Sequence, residues 1–389
     1  MRSMKQRAKI ERVWVIFCSA CLLVALLSLR LLAFQSLPWT SPAPGWLYIF
    51  DGGKASSSDA QLLLVDPTTE AIRGRVPMGL SDDQPEVALS PDGAKLFSLQ
   101  AQVPGGSYRL LTISIATGQI MGTVPSPQKM VFTVPVHLPS IVPSLEGNWV
   151  YMSTVRATSR SSVDDVYSIY TFDTNHNAFL PDAALIPGCG RQPLMLPLPR
   201  KLELDVVCPA SSSFHHLVLR DDGGLQSSLK TSFAKPAIWT QGSLGQALKT
   251  AAIINNRVVL FMGDGHLFTQ SNAGASLSDQ GLIPNVSIGA RYVTVSPDGT
   301  KLYVVGGKET ATGDYTADQI VALDTASLRP LGVISPGEPF FDIALSKDGR
   351  YIYAQTPAAT VLVIDTLNPT AIRKISGLGA APVGIMVAP

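Results

Sequence analysis

The chain has 389 residues and a formal charge of +1, with 30 Lys and Arg against 29 Asp and Glu, which removes any electrostatic case for nucleic acid. Charged residues make up 15% of it, below the ~25% usual in globular proteins. The 32 Gly and 29 Pro are spread throughout, as many short strands and turns require, and no long amphipathic helical pattern follows residue 40.

Residues 1–12 carry Arg2, Lys5, Arg7, Lys9 and Arg12 against Glu11; residues 13–29 read VWVIFCSACLLVALLSL, followed by Arg30 and LLAF. The run approaches the ~20 apolar residues that cross a bilayer, and Arg30 can snorkel. Basic residues ahead of the run predict a cytoplasmic N-terminus. Residues 13–34 are therefore expected to be an uncleaved transmembrane signal anchor. Residues 1–12 would be a cytoplasmic tail, with the remainder on the extracytoplasmic side of the plasma membrane. The alternative is a cleaved signal peptide. No good small-x-small site is present, since Ser41-Pro42-Ala43 is followed by Pro44. Too little apolar sequence precedes Cys21 for a lipoprotein, and Cys18 and Cys21 read as packing residues of the apolar helix. Residues 35–45, QSLPWTSPAPG, read as a short Pro-rich spacer.

From Gly45 onward a four-stranded unit recurs. Its best copy is YVTVSPDGTKLYVV at 292–305 followed by IVALDTASLRPLGVI at 320–334. Val293 and Val295, then Leu302 and Val304, alternate at strand period. Between them Ser296-Pro297-Asp298-Gly299 is a tight turn: Pro presets φ, Asp bonds nearby N–H groups and Gly accepts positive φ. Asp324-Thr325-Ala326-Ser327 is a second turn, between the third and fourth strands. Counterparts of the first turn are Ser90-Pro91-Asp92-Gly93, Ser144-Leu145-Glu146-Gly147, Pro197-Leu198-Pro199-Arg200, Asn255-Asn256 and Ser346-Lys347-Asp348-Gly349. Their spacing suits propeller blades. Residues 45–79 supply the last three strands of one further blade, and 382–389, PVGIMVAP, its missing first strand, paired to 47–51. The expected fold is all-β over 46–389: a seven-bladed β-propeller of four-stranded antiparallel blades, closed by a blade that both termini share and so without free edges.

The pattern SPDG-x-x-LYV followed by V-x-D-T resembles the YVTN-repeat seven-bladed propellers, strongly in blades two, six and seven and weakly in three to five. The resemblance implies fold and an exported or cell-surface location. Wider relatives include lactonase-like propellers and the methylamine dehydrogenase heavy chain, so it implies no single activity.

In a four-stranded meander the first and third connections share one face; the second connection and the blade links share the other. The tight turns are the first and third. The long polar connections, 52–60, 101–107, 155–165 and 306–317, and the links 79–85 and 335–340 fall opposite. Function usually lives on loops carried by a rigid scaffold, so the long-loop face is the expected binding face. At the channel mouth Glu86, Arg191, Arg291 and Asp342 form a candidate ligand-binding ring; a self-neutralising, water-filled channel is the simpler reading of the same charges. His137, His176, His215, His216 and His266 make no metal spacing. Paired acids such as Asp82-Asp83 fit turns better than calcium. No nucleophile elbow or phosphate loop occurs, and 285–287 is a glycosylation sequon by pattern only. No catalytic residue, metal or cofactor is assigned.

Cys189 and Cys208 lie symmetrically about the turn 197–200, where they would face each other across two strands within disulfide range. An exported domain also sits where disulfides persist. The sequence thus points to a membrane-anchored binding or scaffolding module with a surface protein, glycan or cell-wall partner. The alternative is a propeller enzyme of lactonase or amine-dehydrogenase type with its site at the channel mouth.

Overall fold

The computed structural model describes residues 39–388 except 53–59, 80–85, 103–106, 128–139, 157–165, 190–192, 199–200, 209–210, 212, 233–247, 256, 272–276, 284–285, 310–314 and 380–381. The expected anchor at 13–34 lies outside the described residues; among those described, no helix is long and apolar enough to cross a membrane.

Seven sheets of four antiparallel strands make up the fold. The innermost strands are Pro382–Val387 in blade one, then Glu86–Leu89, Ile141–Pro143, Leu194–Pro197, Leu248–Ile254, Ser287–Val295 and Asp342–Leu345 in blades two to seven. They lie side by side around the axis. Blade one closes the ring as the sequence predicts: the C-terminal strand pairs with Leu47–Asp51, in the register Leu47 to Val387 and Ile49 to Ile385. All five residues of Leu47–Asp51 are buried.

Burial sets the strand sequences. Second and third strands are covered on both faces by neighbouring blades, so they read as nearly continuous apolar runs: LYIFD, VVLFM in Arg257–Met262, VLVID in Val361–Asp365. Between blades six and seven, for example, Tyr303, Ile320 and Phe340 pack on Ile352 and Leu362. Outermost strands face water and turn polar, as in LQSSLKTS, Leu225–Ser232.

The two turn motifs prove to be one device. In blades two, six and seven the Ser hydroxyl donates to the turn Asp at 2.5–2.6 Å, and that Asp accepts the N–H two residues on at 3.0 Å. The D-T turn between the third and fourth strands, on the same face of the blade, then locks onto it. Thr325 donates its hydroxyl to the Gly299 carbonyl at 2.6 Å, Thr366 to Gly349 at 3.1 Å and Thr174 to Gly147 at 2.9 Å. The matching backbone N–H of each Thr bonds the residue after that Gly, at 2.8–3.0 Å. Blade two has Ile115 at this position and keeps only the backbone half of the link, to the Ala94 carbonyl at 3.0 Å. The spacing of SPDG to D-T is thus fixed by a side-chain clasp on the tight-turn face.

Four local expectations change. The loop written as 306–317 is largely strand: Lys301–Glu309 and Tyr315–Asp324 stay paired out to Glu309 and Tyr315, leaving 310–314. Blade five inverts the loop rule, with the tight turn Gly263-Asp264-Gly265 on the long-loop side, where the Gly263 carbonyl accepts the Ile288 N–H at 2.9 Å. The blade-four hairpin is centred two residues later than predicted, since Pro197 pairs with Leu204; Leu202 takes the left-handed turn position, φ 55°, where no Gly marked it. Finally, the spacer is seated from residue 39. Trp39 joins the core between blades one and two and donates its indole N–H to the Ile115 carbonyl at 2.8 Å.

Candidate functional site

The innermost strands begin at the long-loop face, which places Glu86 and Asp342 at the channel mouth, on blades two and seven, with the closing strand Pro382–Val387 between them. Gly384 of that strand lies between Val87 and Asp342: a Cβ there would stand 3.7 Å from the Val87 side chain and 3.8 Å from Asp342 Oδ2. Asp342 is 7% exposed and its carboxylate works between blades. Oδ1 accepts the Ile343 N–H at 2.7 Å and Oδ2 accepts the Ile385 N–H at 3.0 Å. It is thereby a latch holding blade seven to the closing blade. Arg191 and the side chain of Arg291 lie outside the described residues.

A polar rim that the sequence reading missed runs along the long-loop ends of blades seven, one and two. Asp51, 4% exposed, accepts from Gln61 Nε2 at 3.1 Å, and Gln61 Oε1 accepts from Arg75 at 3.1 Å. Arg109 spans blades two and one, donating to Gln100 Oε1 at 2.9 Å and to the Met78 carbonyl at 3.2 Å. Gln355, paired directly opposite Asp342, is fully buried with neither amide atom hydrogen-bonded. The signal for this rim was available in principle: a charged or amide residue closing an otherwise apolar strand, as in LYIFD and YIYAQ.

The described histidines are each paired locally. His176 meets Asp173 at 2.7 Å, and His266 meets Asp264 at 3.0 Å. His215 and His216 face opposite ways, as strand alternation demands. His215 lies buried between Ser213 and Ser228, its pKa pushed down by that burial. His216 meets Asp205 at 2.9 Å, with Glu203 at 3.8 Å; burial pushes the Asp205 carboxyl up, against the pull of His216. Among the described residues no group of three His, Cys, Asp or Glu side chains is placed to hold a metal.

Cys189 and Cys208 form a disulfide, with Cα atoms 4.7 Å apart. Both are fully buried. The pairing stands but its geometry differs from the expected one. Cys189 follows the outer strand Ala178–Pro187 of blade three, in the link to blade four, while Cys208 ends the second strand of blade four. The bridge therefore ties a blade link to a sheet rather than crossing one hairpin.

On the opposite, tight-turn face lies an apolar cavity of about 400 Å3 lined by Pro42, Tyr48, Lys95, Ile115, Met121 and Ala388. The Tyr48 hydroxyl there is buried without a hydrogen-bond partner, and burial raises its pKa.

No protein-family model and no curated protein matches the sequence. Solved structures do. A 6-phosphogluconolactonase candidate from Bacteroides fragilis aligns over 90% of this chain and all of its own, at 13% identity and TM-score 0.60. Apo AztD from Citrobacter koseri aligns over 89% of this chain and 98% of its own, at 14% identity and TM-score 0.52. Dihydro-heme d1 dehydrogenase NirN aligns over 87% of this chain, at 13% identity and TM-score 0.53; this chain spans 66% of that longer protein. The likeness is one of fold. It shows the propeller fold and no activity.

Proposed function

We propose that this protein is a membrane-anchored, extracytoplasmic propeller of the YVTN-repeat kind that binds a surface protein, glycan or cell-wall component through its long-loop face. The observation that carries the reading is the asymmetry of the ring. One face is clasped shut by the paired SPDG and D-T turns in blades six and seven, while the strand ends that flank 53–59, 103–106, 157–165 and 310–314 and the starts of the innermost strands lie at the other. A scaffold with one rigid face and one elaborated face is suited to presenting loops to a partner. The basic-then-apolar leader supports the anchor and the topology, and the Cys189–Cys208 bridge suits an oxidising compartment. Glu86, Arg191, Arg291 and Asp342 are retained as the candidate polar contacts at the mouth.

The test is loop shortening. Variants cut at 157–165 and 310–314 should melt like the parent, because loop length contributes little to stability, yet lose binding to a cell-envelope fraction of the source cell. Full retention by the double variant sinks the reading. The enzyme alternative draws on the lactonase-like fold, and hydrolysis of a lactone panel abolished by Glu86→Gln would turn the assignment towards it.

A further inference from the structure

The strap formed by residues 39–46 fixes the start of the described chain to one face of the ring. Trp39 does not rest on the surface by accident. Its indole lies over two glycines, Gly74 on the outer strand of blade one and Gly118 in the third-connection turn of blade two; a Cβ at Gly74 would come within 2.8 Å of the ring, and one at Gly118 would overlap it. The indole N–H is spent on Ile115, and Thr40 donates to the Arg73 carbonyl at 3.3 Å. The strap then reaches the centre, where Gly45 and Trp46 exchange backbone hydrogen bonds with Ala388 at 3.0 and 2.7 Å. Every one of these contacts is on the tight-turn face.

Residue 34, the end of the apolar run, is five residues before Trp39, a reach of at most about 17 Å for extended chain. The ring, whose outer strand in blade one runs over the nine residues Ala71–Gly79 and rises about 30 Å, cannot be turned over on so short a lead. The same face carries exposed apolar side chains at its turn tips: Leu145 at 50% exposure and Leu367 at 78%, with Met121 at 59% beside the strap. Leu145 stands where the turns of blades two and six have Pro and that of blade seven has Lys, and the Leu367 side chain is largely exposed.

We infer that the tight-turn face lies against the bilayer surface, Trp39 fixing the orientation and Leu145 and Leu367 dipping towards the lipid headgroups, so that the long-loop face points away from the membrane. This rests on the proposed anchor, and the occupant of the face is lipid rather than a second copy of the chain.

The test uses the full chain in vesicles of neutral and anionic phospholipid doped with a headgroup-labelled quencher. On a Cys18→Ser, Cys21→Ser background, a fluorophore is placed singly at Leu145→Cys and Leu367→Cys, and on the other face at Leu185→Cys and Leu282→Cys. Expected is several-fold stronger quenching at 145 and 367 than at 185 and 282. Trp39→Ala, its fold checked by its melting curve, should erase most of that contrast; an unchanged contrast would remove Trp39 from the argument and overturn it. Anchored protein with equal or reversed quenching overturns the orientation while leaving the anchor intact. Protein that fails to float with the vesicles overturns the anchor itself, and the orientation with it. Crosslinking of Leu367→Cys between copies without headgroup quenching assigns the face to self-association and also overturns the inference.

Discussion

Breaking the Cys189–Cys208 bridge by reduction isolates the cross-link from packing, because both sulfur atoms stay in place. The residues are 19 apart in sequence, so the unfolded chain regains the freedom of a loop of about 20 residues, worth about 3 kcal/mol by chain entropy. Replacing both by Ala should cost more. Each Cys is fully buried among Tyr151, Tyr167, Ile186 and Val206, and removing two sulfur atoms from a packed interior leaves a cavity worth a further ~1–2 kcal/mol. Denaturant unfolding of oxidised, reduced and Cys189→Ala/Cys208→Ala protein should therefore give three midpoints in that order. Mass spectrometry of unreduced peptides, taken from protein recovered at the cell surface, should show 189 linked to 208. Because the bridge joins the blade-three link to blade four, the reduced protein should also exchange amide protons faster in Leu194–Pro197 than in the closing blade. Coincident midpoints for oxidised and reduced protein, or free alkylation of both thiols in native cell-surface material, would refute the reasoning.

Other outcomes follow from the same geometry. Deleting 382–389 strips Leu47–Asp51 of its partner and exposes two sheet edges; the loss should rival the whole net stability of about 5–15 kcal/mol, and soluble truncated protein with a parental melting curve would contradict ring closure. Thr325→Val keeps the shape but removes the donor to Gly299, at a cost of about 1 kcal/mol by urea unfolding, whereas an exposed control on an outer strand such as Thr123→Val should be neutral. Asp342→Ala leaves the amides of Ile343 and Ile385 without this acceptor and should lower stability by about 1–3 kcal/mol.

The repeat was legible because its signals are local. Ser-Pro-Asp-Gly carries its turn in its own side chains, so Ser90, Ser296 and Ser346 mark three blades without tertiary help. Closure was legible because strand count and alternation leave PVGIMV only one vacancy to fill. What failed was register. Blade four's turn relies on Leu202 at positive φ, a cost met by tertiary packing, which no propensity reveals. The rim at the mouth was missed for a related reason: Asp51 and Gln355 close their strands and Gln100 lies two residues before the end of its own, and nothing local in the sequence shows that they face one rim. Asp342 was found for its charge, yet its partner is a backbone N–H across a blade boundary, a contact that exists only once the ring is closed.

The clasp on the tight-turn face also makes stability depend on acid, and the direction is fixed. Asp298 accepts from Ser296 and from the N–H and hydroxyl of Thr300, and these bonds, the Ser296 hydroxyl first, hold its pKa down at about 2 against an ordinary 3.8. Asp92 and Asp348 are lowered by the same Ser-to-Asp bond. A carboxyl whose folded pKa lies below its unfolded one contributes stability that is fully present above the unfolded value and is lost as pH falls through the folded one. The contribution of these turns is therefore complete at pH 5 and should fade from about pH 4 down to about 2. Melting temperature measured from pH 7 to pH 2 should hold level and then drop in that window. Asp298→Asn should melt lower than the parent at pH 7 but approach it near pH 2, since protonation then imposes on the parent what the substitution imposed throughout. A constant gap between the two at every pH would show that the Asp298 charge is not what holds this turn, and the clasp would have to rest on the Thr325 hydroxyl and the backbone pair alone.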